Sequence, residues 1–136
     1  MGTRSLTVFV DDTGKDFAVM YRQMDGYPEG HGKELAEFLA GMKIVNGISM
    51  VDGPRIANGM GCLAAQVVAH FKTEPGHIYL MAPGTRDVWE EFIYKVSEND
   101  GRDPNVEVCD AAEKVLFSGP ASEALEWCKT YTEGEE

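Results

Sequence analysis

Two runs near the start of the chain alternate side chains with a period of two and are separated by a single short turn. Leu6, Val8 and Val10 alternate with Thr7 and Phe9, and Phe17, Val19 and Tyr21 alternate with Ala18, Met20 and Arg22. That period is the mark of a strand half buried on a sheet. Asp11-Asp12-Thr13-Gly14-Lys15 lies between them, and Gly14 can take the positive φ that a tight reversal needs. So short a link forces the two strands to pair antiparallel, because a parallel return takes a crossover of about a dozen residues or more. The same arrangement recurs near the other end, where Val106-Glu107-Val108-Cys109 and Val115-Leu116-Phe117 read as a second hairpin. The runs at 78–81 and 92–96 supply two further strands.

Helical spacing appears in three places. Leu35, Phe38, Leu39 and Met42 recur at i, i+3, i+4 and i+7. A second helix is expected over about 57–72, with Met60, Leu63, Val67, Val68 and Phe71 on one stripe, widened by Ala64, Ala65 and Ala69 for close packing on a sheet. After the Gly119-Pro120 break, 121–131 reads as a third, with Ala124, Leu125, Cys128 and Tyr131 inward. Residues 43–54 read as irregular, with Asn46-Gly47 and Asp52-Gly53-Pro54 as turns. The order is ββ-α-α-ββββ-α, which predicts an α+β fold with a mainly antiparallel sheet of about six strands and helices packed on one face. At 136 residues the chain suits one domain, 1–132, followed by an acidic frayed tail at 133–136. Leu6, Val8, Val19, Leu63, Val67, Phe71, Ile78, Leu80, Val108, Val115 and Leu125 are expected to form one core.

Charge and cysteine usage narrow the functional classes. Twelve Lys and Arg against 23 Asp and Glu leave a net charge of −11. Non-specific nucleic-acid binding and anionic-membrane binding need the opposite sign, so neither is expected. No apolar run approaches the roughly 18 residues that span a bilayer, and the first residues lack the apolar stretch of a secretory signal. Cys62, Cys109 and Cys128 form no C-x-x-C pair. Each lies in an apolar periodic segment, so each is expected as a buried reduced thiol, which fits the cytoplasm. His31, His70 and His77 lack metal-ligand spacing, and Asp11, Asp12 and Asp16 lack the calcium-loop pattern, so no metal and no cofactor is expected.

Three segments are rich in groups that bind ligands. Residues 21–32 hold Arg22, Asp25, Tyr27 and His31 among Gly26, Pro28, Gly30 and Gly32. A bare connection needs fewer charged and aromatic groups, although Asp25-Gly26 as a turn, Pro28 as its rigid end and Tyr27 as a plug also account for the loop. Asp25 is placed to cap the loop backbone and pair with Arg22, and His31 to cap, titrate or bind. Asn58-Gly59-Met60-Gly61 opens the second helix with Arg55 just upstream, an arrangement suited to an anion, with close helix packing as the alternative use of the glycines. Arg86 and Trp89 share a long loop, as an anion-pairing cation and a stacking ring would in a nucleotide site.

The stretch Tyr21-Arg22-x-x-Asp25-Gly26-Tyr27-Pro28-x-Gly30, with Leu35-Ala36-x-Phe38-Leu39 and residues 58–66, resembles a family of small uncharacterised proteins of bacteria and their phages. The resemblance covers about residues 5–119. It implies a small phage-borne protein working in the host cytoplasm, and by analogy with phage sponges a sequestering role. The expected function is therefore non-enzymatic binding of a small anionic ligand such as a cyclic nucleotide immune signal, at a site between subunits of a homo-oligomer. The binding residues would be Arg22, Asp25, Tyr27, His31, Arg55, Asn58, Arg86 and Trp89. The alternatives are a module that engages a host protein through its acidic surface and a small hydrolase using His31 and Asp25 as acid and base.

Overall fold

The computed structural model describes residues 2–46 and 55–131. The 133–136 tail, Gly47 and the Asp52-Gly53-Pro54 turn lie outside the described residues. In chain order the elements are β1 (Ser5–Val10), β2 (Asp16–Arg22), a π-helical turn (Pro28–Gly32), α1 (Lys33–Leu39), β3 (Lys43–Val45), β4 (Ile56–Asn58), α2 (Gly59–Phe71), β5 (Ile78–Met81), β6 (Phe92–Glu98), β7 (Pro104–Asp110), β8 (Val115–Pro120) and α3 (Ala121–Thr130). This is the expected α+β fold. None of the described helices is long and apolar enough to cross a membrane.

Six strands form one sheet in the order β5-β2-β1-β6-β7-β8. Both hairpins form: β1 pairs antiparallel with β2, with Val8 opposite Val19, and β7 pairs antiparallel with β8. β6 and β7 are also antiparallel, and β5 lies antiparallel on the outer side of β2. The exception is the central pair, where β1 runs parallel to β6 with Ser5 opposite Phe92. The sheet is therefore mixed, with antiparallel pairing dominant. Within the segment read as irregular, β3 forms a separate parallel ladder with β4, and α2 starts two residues later than expected. Three-residue strands are too short to show a period, so alternation gave no sign of them.

The sheet divides the interior in two, which corrects the expectation of a single core. On one side Phe9, Met20, Tyr94, Val96, Val106 and Val108 pack against Leu35 and Leu39 of α1, Leu63 and Val67 of α2 and Ala124 of α3. On the other side Leu6, Val8, Val19, Ile93 and Cys109 form a smaller cluster against which Val88 packs. The three α-helices among the described residues lie on the first side, and the loop after β5 contributes Val88 to the second. Leu80 and Val115, expected inside, are 68% and 50% exposed because they stand on the two edge strands. Phe71 and Leu125 are half buried. Cys62 is also corrected: it is exposed on α2, while Cys109 and Cys128 are buried and reduced. Burial pushes the Cys109 thiol up to about 11 and the Cys128 thiol up to about 12.

Candidate functional site

Alternation places Arg22 on the same face of β2 as Met20, and that face carries the helices. Arg22 is consequently only 6% exposed. A buried guanidinium is tolerable only when its donors are used. Nε donates to the Met24 carbonyl at 2.6 Å, and Nη1 donates to His31 Nδ1 at 3.1 Å and to Glu34 Oε1 at 2.7 Å. Phe71 lies beneath the guanidinium, its ring centroid 5.7 Å from the central carbon. Both Nη2 hydrogens remain without a partner among the described residues.

His31 is the support for this arginine. The π-helical turn, begun by Pro28, carries it into the interior with no exposed surface. Its Nδ1 accepts from Arg22, so the ring proton sits on Nε2, which donates to Thr7 Oγ1 at 2.7 Å. Phe71 and Tyr94 enclose the ring at centroid distances of 4.9 and 5.1 Å. Burial holds His31 well below its ordinary pKa, and the charge of Arg22 and the nearby His77 push the same way. The imidazole is neutral as a result. Tyr94, whose hydroxyl donates to the Gly26 carbonyl at 2.7 Å, ties the loop to the sheet.

Arg22 and Phe71 line a cleft of about 490 Å³ together with Glu34, Glu37, Phe38, Arg55, His70, Thr73 and His77. α1 supplies the glutamates and Phe38, α2 supplies His70 and Phe71, and the connection to β5 supplies Thr73 and His77. Phe38 and His70 stack on one another at 4.3 Å and 20°. Arg55 donates to the Ala40 carbonyl, with its guanidinium 6.0 Å from the Phe38 centroid. His77 adopts φ 70°, and its Nδ1 is buried without a hydrogen-bond partner among the described residues. The cleft thus has cationic groups, carboxylates and ring faces in a volume that suits a small molecule.

The structure brings together Arg22, His31 and Arg55 of the expected site, with His31 behind the cleft and not in it. It does not bring in the other five. Asp25 is exposed at φ 62°, its carboxylate accepts from the Tyr27 hydroxyl at 3.3 Å, and the ion pair expected between Asp25 and Arg22 is made by Glu34 instead. Tyr27 packs against the helix-side core and shapes the loop. Asn58 ends β4, exposed, and does not line the cleft. Arg86 is committed to Glu113 at 3.2 Å and Asp16 at 3.7 Å, and Trp89 shares its loop, whose Val88 packs on the sheet face opposite the helices. With both ring nitrogens engaged and no exposed surface, His31 has no access to a substrate as an acid or base.

The reading from sequence missed Glu34, Glu37, Phe38, His70, Phe71, Thr73 and His77. One signal was present: Glu34, Glu37 and Phe38 follow i, i+3, i+4 spacing on a short helix directly after the arginine loop. Among the described residues no group of three His, Cys, Asp or Glu side chains is placed to hold a metal ion. No protein-family model, no curated protein and no solved structure matches the chain.

Proposed function

We propose that the protein binds and sequesters a small anionic ligand of the nucleotide class in the Arg22 cleft. The observation that carries this reading is Arg22 itself, a buried arginine fixed from behind by His31 and Thr7, with its Nη2 donors unspent among the described residues beside an open cleft. Charge-assisted hydrogen bonds of that kind suit a phosphate oxygen. Phe38, His70 and Phe71 offer ring surface for a base. Glu34 and Glu37 accept hydrogen bonds from hydroxyl or amino groups, which a nucleotide has and inorganic phosphate lacks. The cleft belongs to one chain, so this reading does not need a site shared between subunits. A cyclic nucleotide signal sequestered in a phage-infected host is one ligand of this class.

The test is calorimetric titration with cyclic mononucleotides and cyclic dinucleotides, followed by heat release and chromatography of the ligand. Saturable binding with intact release is the expected result. Arg22→Ala is a poor probe because it also orphans the Met24 carbonyl and His31 Nδ1, at a cost of about 1–3 kcal/mol in stability. Arg55→Ala, at an exposed position, should leave melting unchanged and weaken binding about tenfold or more. Saturable binding that Arg55→Ala and Phe38→Ala leave untouched would place the ligand elsewhere. Altered ligand in the released pool would favour hydrolysis.

A further inference from the structure

On the opposite face of the sheet, the loop between β5 and β6 holds Trp89 out in solvent. The indole is 82% exposed, and its backbone sits at φ 65° beside Asp87 at φ 61°. Neither residue type favours that region as glycine does, so the surrounding contacts must hold the loop there. Those contacts are present. Glu90 is 7% exposed, and its carboxylate accepts from the backbone N–H of Asp87 at 3.0 Å and of Val88 at 2.8 Å. Val88 packs on the second core cluster, and Glu91 N donates to the Arg4 carbonyl at 2.8 Å. With Val88 and Glu90 both turned inward, the residue between them is presented outward. The loop backbone that presents the ring is thereby held in place, so docking on it costs little loop-ordering entropy.

Beside the indole lies a hollow of about 250 Å³ lined by Asp87, Trp89, Glu90 and Ala111. Asp87's carboxylate makes no ion pair among the described residues. The hollow therefore offers a flat ring and an uncommitted carboxylate on a chain of net charge −11. A planar guanidinium satisfies both, stacking on the indole and pairing bidentately with the carboxylate. A phosphate-bearing partner meets like charge here, and so does a second copy of the chain.

We infer that the Trp89 loop docks a basic segment of a partner protein, with an arginine side chain lying over the indole and paired with Asp87. This site is independent of the Arg22 cleft. The test is fluorescence anisotropy with a labelled hexa-arginine peptide in about 0.15 M salt, where weak long-range attraction is screened. Trp89→Asn is the informative variant, because asparagine tolerates positive φ and preserves the loop. The wild-type protein should bind saturably, Trp89→Asn should bind tenfold or more weakly, and Asp87→Asn should lose several-fold. Both variants should melt as the wild type does. Equal binding by Trp89→Asn would reduce the interaction to net charge and overturn the proposal, as would the absence of saturable binding. Sedimentation showing a dimer that Trp89→Asn dissolves would overturn it in favour of self-association.

Discussion

His31 makes the stability of this protein depend on pH over a range where few other groups change charge. In the unfolded chain the imidazole titrates near 6.5, whereas in the fold burial and the Arg22 charge hold it neutral well below that. Below about pH 6.5 the unfolded chain thus binds a proton that the native protein refuses. The sign follows: this contribution is fully present above the unfolded value and is lost as pH falls toward the native one. While the native imidazole stays neutral, the loss approaches about 1.4 kcal/mol for each pH unit below the unfolded value. That is a large share of the roughly 5–15 kcal/mol typical of a domain. His31→Gln removes the titrating group. Urea unfolding at a series of pH values should show the variant less stable than the wild type at pH 7.5 by about 1–3 kcal/mol. The gap should shrink steadily as pH falls from 6.5 to 5. A variant that keeps the wild-type slope from pH 6.5 to 5 would mean that His31 is not held neutral in the fold.

Three further outcomes test the packing. Val67→Asp places an unpaired carboxylate in the helix-side core and should abolish soluble folding, checked by expression and circular dichroism; soluble protein with unchanged melting would contradict the α2 orientation. A thiol reagent should label Cys62 within minutes and Cys109 and Cys128 only slowly, with three thiols counted after denaturation, and rapid labelling of all three in native protein would contradict the burial described. Gly32→Ala sets a Cβ 2.9 Å from both Cys128 Sγ and Tyr94 Cε1, so thermal melting should report a loss of about 1–3 kcal/mol.

The hairpins were legible because alternation is a local signal, and so were the helices. The β1–β6 pairing was not, since nothing near Leu6 refers to Ile93. Arg22 shows the limit more sharply. Its phase was readable, opposite Val19 and Tyr21, but a period of two also describes a strand with one wet face. Only the arrival of α1 and α2 over that side turns a surface arginine into a buried one. Arg86 and Trp89 looked like partners of the Arg22 loop because composition carries no geometry; the sheet separates them from the cleft. Leu80 and Val115 have the right chemistry for a core but stand on edge strands, a fact fixed by strand order and invisible in sequence.

The central position of β1 bears on how the chain reaches its native state. β1 lies between β2 and β6, and Ser5 cannot meet Phe92 until most of the polypeptide has been made. Contacts so distant in sequence must be closed against chain entropy before they return anything, which slows folding relative to a sheet built of hairpins alone. On the ribosome the first hairpin emerges with one long side of β1 unsatisfied, and that side is flanked by Leu6, Val8 and Phe9. An open apolar edge is a template for strand addition by another chain. A product ending before β6 keeps that edge open, so chains truncated there should aggregate, while full-length chains seal the edge with their own later strand.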